Sequence, residues 1–400
     1  MLITYLGKAK ADTNQRYRTA KYCFDDETTI ETQLFGLALL KWLSKSKPIN
    51  TLVVLGTETS MWDSLFEGEA FIDNLNREQL DLYEKIGEKL SNNEGITEED
   101  LVDLSKEIST LLSINVICKI IPFGKTVEEQ QEILKIISEE TEQEQNVYFD
   151  FTHGFRHLPF FGLLSIFFLK ICRKATVEGI YYGALDMTQD GITPVVNMDS
   201  ALKNIDWINA LFIAENTGNY AKLASLIENP SLSNIFNELT FLRKTNQVGN
   251  MRKRAKEGIS ELQKENISNE ALLFKDVIVK QMEWHNKDNY ALRQLEIAKQ
   301  ALKYNDFTQS TILALEALIS ARVEGDPMSF NSREKAKDKL INSSNSTYKT
   351  LKKLRNALAH GTRANDGEIQ KLMSSMELFK EQMEQFFKNI EMSIKTKKGM

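Results

Sequence analysis

Histidine is scarce in this 400-residue chain, which has four, and cysteine is scarcer, with three. Cys23, Cys118 and Cys172 are widely spaced, with no pair at metal-ligand spacing. They are expected as small core residues in a reducing cytoplasm. Long apolar runs are also missing. The longest, starting LPFFGLLSIFFLKIC at Leu158, is cut by Lys170 and is expected to be a buried helix, not a membrane span. The opening residues MLITYLG lack the basic region and cleavage site of a secretory signal. Neither GxGxxG nor GxxxxGK[ST] follows a candidate strand, so the usual dinucleotide and triphosphate loops are excluded. No Asp/Glu/His cluster has metal-ligand spacing, and neither a metal nor a cofactor is expected.

What is present is charge, unevenly placed. Residues 1–215 hold 20 Lys+Arg and 34 Asp+Glu, a net −14, whereas residues 216–400 hold 30 and 22, a net +8. An acidic half joined to a basic half predicts two domains with different partners. The basic half suits a polyanion such as RNA, although solvated lysine faces on helices produce the same count.

The first half alternates short β-like runs with helical ones. Strands are expected at 2–7, 51–56, 114–124, 146–154, 175–185 and 192–198. Helical patterns cover 31–45, 126–140 and 158–173, and a polar helical stretch at 75–112 reads as an insertion. That alternation predicts an α/β Rossmann-like domain, a mostly parallel sheet with helices on both faces. Beyond 215 the strands stop. Helical periodicity marks 218–225, 233–245, 250–264, 268–282, 289–322, 333–342 and 348–390, an all-α domain over 216–400.

In an open α/β sheet, ligands sit beyond the carboxyl ends of the strands. Three loops qualify: Gly7-Lys8-Ala9-Lys10, extended by Arg16 and Arg18; Gly56-Thr57-Glu58-Thr59-Ser60; and DFTHGFRH, Asp150 to His157. Small residues and Gly expose backbone N–H groups to anions, and Arg156 adds a charge-assisted contact for phosphate. The bland alternatives stay open: Thr152 is equally an N-cap, and His153 equally a buried, hydrogen-bonded residue.

Near the C-terminus the chain reads LKKLRNALAHGTR, with Arg355, Asn356 and His360 close together. A helix ending in His with Gly361 as its cap accounts for the same letters.

Taken together, LGT-x-T-S after one strand, DFTHGFR after a later one, and RNALAHG in a helical second half resemble the CARF–HEPN effector ribonucleases of type III CRISPR systems. The resemblance implies a CARF (Rossmann-like) sensing domain that binds cyclic oligoadenylate and a HEPN domain that cuts single-stranded RNA. It implies antiviral defence in the cytoplasm as the setting. Arg355, Asn356 and His360 match the nuclease motif. Thr152, His153, Gly154 and Arg156 match the ligand loop, with Thr57 and Ser60 of the second loop. Glu58 lies between those two, and Lys8 is added by position.

The chemistry of these residues fits that assignment. RNA carries its own nucleophile, the 2′-OH, so cutting needs a base, an acid and positive charge for the phosphorane, and no metal. Neutral histidine is a base and its protonated form an acid. Arginine keeps its charge and matches phosphate geometry. Cleavage this way leaves a 2′,3′-cyclic phosphate and a 5′-hydroxyl. On a regular helix, Asn356 and His360 share a face, while Arg355 lies about 140° round from His360 at ~100° per residue. One histidine cannot be acid and base at once, whereas two facing across a two-fold axis can. A homodimer, or a higher assembly built from it, is therefore expected. Two rival readings remain: a cyclic-nucleotide-sensing regulator or scaffold with an inactive helical domain, and a ring nuclease that degrades the messenger in the first domain.

Overall fold

A computed structural model of the chain describes residues 1–8, 17–67, 71–155, 157–264, 267–361 and 366–398. The chain forms two compact units, Met1–Ala201 and Leu202–Met400. The division expected at 215/216 falls inside a helix, Asp199–Thr217.

The first unit contains one eight-stranded sheet. Its strands are β1 (Leu2–Leu6), β2 (Ala20–Cys23), β3 (Thr29–Thr32), β4 (Thr51–Gly56), β5 (Asn115–Ile120), β6 (Asn146–Asp150), β7 (Thr176–Gly183) and β8 (Ile192–Asn197). The order is β3-β2-β8-β7-β6-β1-β4-β5. From β7 to β5 every neighbouring pair is parallel. β8 runs antiparallel to β7, β2 parallel to β8, and β3 antiparallel to β2. The parallel strands read as unbroken apolar runs because both faces are covered: all five residues of β1 are buried.

On one face, Leu2, Leu52, Val54 and Val116 join a core with side chains of α1 (Phe35–Leu43), α2 (Arg77–Ser91) and α3 (Glu98–Leu112). On the other, Tyr5 and Phe151 meet Gly162 of α5 (Leu158–Phe168), against which α4 (Val127–Glu139) packs.

The structure corrects four sequence-based expectations here. β2 and β3 were not anticipated, and 31–32 belongs to β3, not to the helix that follows. Each strand has only four residues, and β3 alternates exposed and buried positions, too short a period to stand out. The 75–112 stretch is not simply an insertion. α3 buries Leu101, Leu104 and Ile108 and is the crossover that a parallel β4–β5 pair requires. The helix at 158–173 is not buried all round: α5 ends at Phe168, a π-helical turn follows, and Phe160, Phe168 and Ile171 are exposed. Finally, Cys118 is buried, but Cys172 is exposed.

The second unit is helical. Its elements are α6 (Asp199–Thr217, which begins in the first unit), α7 (Ala221–Ala224), α8 (Pro230–Lys244), α9 (Val248–Leu262), α10 (Asn269–Gln281), α11 (Tyr290–Lys303), α12 (Phe307–Arg322), α13 (Phe330–Asn342), α14 (Ser346–His360), α15 (Gly367–Ser374) and α16 (Met376–Lys398). α12 is central, with α11, α13, α14 and α16 packed against it. The pattern read as one helix over 289–322 is two, because Asn305 turns left-handed (φ +59°) and the Asp306 side chain caps α12. The 348–390 pattern is three helices for the same kind of reason. Gly361 (φ +60°) ends α14, Asp366 caps α15, and Ser375 is extended before α16. α6 was not anticipated over its own length. It carries exposed Ile208 and Phe212 as well as buried Trp207 and Leu211, which blurs its periodicity. Among the described residues no helix is long and apolar enough to cross a membrane.

Candidate functional site

The parallel strands run 7-6-1-4-5 by label, so the chain reverses direction beside β1, between β1 and β6. In open α/β sheets, ligands bind beyond the strand ends at such a switch point. Gly7 follows β1 and Gly154 follows β6, and the two backbones nearly touch: a Cβ on Gly7 would stand 2.9 Å from the Gly154 nitrogen. Gly154 also has φ +99°, a conformation that L side chains rarely adopt. The Gly56–Ser60 loop joins the same place, since the Ser60 hydroxyl donates to the Leu6 carbonyl and the N–H of Met61, the next residue, donates to the Gly7 carbonyl, each at 2.9 Å. The structure thus brings all three sequence-chosen loops together.

Their side chains divide into supports and exposed groups. Thr57 and Ser60 are buried. Their hydroxyls lie 3.2 Å apart, and the Ser60 hydroxyl donates to the Leu6 carbonyl. They shape the loop instead of offering free hydroxyls. Glu58 and Lys8 are exposed. Thr152 is a tie between strands, its Oγ1 accepting the Gly183 N–H at 2.7 Å. Arg156, Lys10 and Arg16 lie outside the described residues.

Asp150 sits beneath this loop, fully buried. It accepts from the Thr4 hydroxyl at 2.6 Å and the Thr152 N–H at 2.7 Å. Burial raises its carboxyl to about 6, against the lowering effect of those bonds. His153 lies beside it in sequence, and its Nε2 accepts the Phe35 N–H at 3.1 Å. An acceptor must be unprotonated, and burial pushes the imidazole down to about 4. His153 is therefore neutral, holds the start of α1, and is no general acid at neutral pH.

Next to these loops lies a cleft of ≈ 560 Å³, lined among others by Arg18, Lys21, Met61, His153, Asp186 and Thr193. This size is typical of a small-ligand site. Lys21 and Thr193 were not found from sequence. They come from β2 and β8, and only the pairing of those strands brings them to the cleft.

In the second unit, Arg355, Asn356 and His360 all lie in the last two turns of α14. Arg355 is half-buried and lines a cleft with Glu316, Asp338, Tyr348 and Lys352. Asn356 and His360 are exposed. The helix is regular to His360 and breaks only at Gly361, whose N–H returns to the Ala357 carbonyl. Arg355 therefore stays on a different face from His360 within one chain. Gly361 also fulfils the bland reading of the motif as a helix end. Among the described residues no group of three or more His, Cys, Asp or Glu side chains is arranged to hold a metal ion.

Comparison with known proteins gives these loops a context. Residues 1–186 match the family described as "CRISPR system endoribonuclease Csx1, CARF domain". The chain is also 29% identical over 246 residues to CRISPR-associated protein MJ1674 of Methanocaldococcus jannaschii, an alignment covering 57% of this chain and 38% of that protein. The chain thus spans well under half the length of the relative it matches. Its first unit therefore carries the matched CARF domain, with the cleft beside its strand-end loops.

Proposed function

We propose that the chain is an endoribonuclease switched on by cyclic oligoadenylate, with the cleft beside the strand-end loops of the first unit as sensor and the end of α14 as cutting site. The observation that carries the reading is one pairing in one chain. A CARF domain with a cleft beside its strand-end loops is followed by a helical unit that carries Arg355, Asn356 and His360 in the last two turns of α14. We read that helical unit as a HEPN domain.

The proposed chemistry needs no group beyond the RNA and these side chains. His360 of one subunit takes the 2′-OH proton, and the oxygen attacks the adjacent phosphorus. The protonated His360 of a second subunit gives its proton to the departing 5′-oxygen. Arg355 neutralises the phosphorane, and Asn356 orients it. The products are a 2′,3′-cyclic phosphate and a 5′-hydroxyl. The exposure of His360 and its separation from Arg355 round α14 favour a site completed by a second chain. The exposed apolar face of α5 and the π-helical turn after it, with Phe160, Leu164, Phe168 and Ile171, is a surface that a homodimer would cover.

The test is cleavage of single-stranded RNA by the purified protein with cyclic tri-, tetra- or hexaadenylate, beside the His360→Ala variant. Cleavage that depends on one ring size and on His360 is the expected result. Cleavage by neither protein under any condition would leave the sensor without this output and refute the reading.

A further inference from the structure

The helical pair α2–α3 reaches back to the ligand loops at two points. Near its turn, the Ile96 N–H donates to the Glu58 carbonyl at 2.9 Å, and Gly95 lies against the Glu58 side chain. In α2, the Tyr83 hydroxyl donates to Oε1 of Glu67 at 3.0 Å. The other oxygen of the same carboxylate, Oε2, accepts the backbone N–H of Tyr17 at 3.0 Å. The Tyr17 hydroxyl donates to Oδ1 of Asp63 at 2.9 Å. Glu67 is 3% exposed, so its carboxylate acts away from bulk water, where such bonds are strong. Tyr17 stays a donor, because burial and the neighbouring acids raise its hydroxyl above the ordinary range. The next residue, Arg18, lines the cleft.

We propose that Glu67 is a positioning residue. By bridging Tyr83 of α2 to the Tyr17 backbone, it holds Arg18 at the cleft and so sets the affinity for an anionic ligand. This gives α2, which the crossover does not need, a role in sensing. The proposal rests on the reading of the cleft as the cyclic oligoadenylate site. A carboxylate accepts with both oxygens, whereas an amide accepts with one and turns an N–H towards a donor. Glu67→Gln therefore breaks one side of the bridge while preserving its volume, and Tyr83→Phe removes one bond without touching the cleft.

The experiment uses the full chain, and calorimetry with cyclic tri-, tetra- and hexaadenylate gives affinity. Hydrogen exchange of the peptide bearing the Tyr17 amide reads the tether without ligand, and RNA cleavage at saturating ring gives the rate. Glu67→Gln is expected to weaken binding about tenfold, the scale of one charged hydrogen bond. Tyr83→Phe is expected to weaken it severalfold, and exchange at Tyr17 to quicken in both. The saturated rate should hold, whereas a merely structural role would lower it with the urea midpoint. If the wild type binds and Glu67→Gln binds equally well, the proposal is overturned and the cleft reading stands. A wild type that binds none of the rings overturns both, and faster exchange in the variant then leaves the tether as fold support only.

Discussion

The Phe35 N–H, at the head of α1, donates to Nε2 of His153 at 3.1 Å. A helix start is thereby capped by a side chain 118 residues away, and the bond exists only while the imidazole is neutral. The folded-state value is lowered to about 4 from an ordinary 6.5, so the unfolded chain binds the proton more readily. The stability this residue supplies is fully present above about pH 6.5 and is lost as pH falls through 4. The swing is about 3 kcal/mol. Urea midpoints across pH 4–7 should show a smaller acid loss for His153→Gln than for the wild type. Equal losses would mean that His153 is not held neutral.

Asp150 has the opposite sign. Its folded-state value is raised to about 6 from 3.8, so here the folded state holds the proton more tightly. It favours folding most below about pH 3.8, and that contribution disappears as pH rises through 6. Asp150→Asn does not titrate. Its stability relative to the wild type should climb by about 3 kcal/mol between pH 4 and pH 6. A difference that stays flat with pH would show that the carboxyl titrates normally.

His360 is exposed at the end of α14, so its removal should leave the fold within about 0.5 kcal/mol of the wild type. Its proposed acid–base role predicts that His360→Ala lowers RNA cleavage by at least about a hundredfold. Activator binding should be unchanged. Near-wild-type cleavage by the pure variant would sink the assignment.

Cleavage should persist in EDTA, and an RNA with 2′-deoxyribose at the cut site should be inert, since the proposed nucleophile is the 2′-OH. Activity lost in EDTA and restored by magnesium would point to metal-assisted chemistry instead.

If two copies of His360 complete one site, mixing wild type with an excess of His360→Ala protein, under subunit exchange, should depress activity more than dilution does. Light scattering should show no monomer at working concentration. A fully active monomer would remove the composite site.

The sequence by itself determined the two-part plan. Buried parallel strands such as β1 and β4 read as apolar runs because helices cover both faces. Gly7, Gly56 and Gly154 marked the strand-end loops. The resemblance carried by LGT-x-T-S and DFTHGFR pointed to the CARF domain that the family match supports. Tertiary structure decided the rest. Local pattern says nothing about which side of a loop residue is buried, so the inward turn of Thr57 and Ser60 was not legible. Neither was the capping of α1 by His153, nor the pairing of β2 with β8 that brings Lys21 to the cleft, because each joins residues far apart in the chain. The helix end at Gly361 was legible in the letters, but which residues of α14 face solvent depends on the helices packed against it, and there His360 is exposed and Arg355 half-buried.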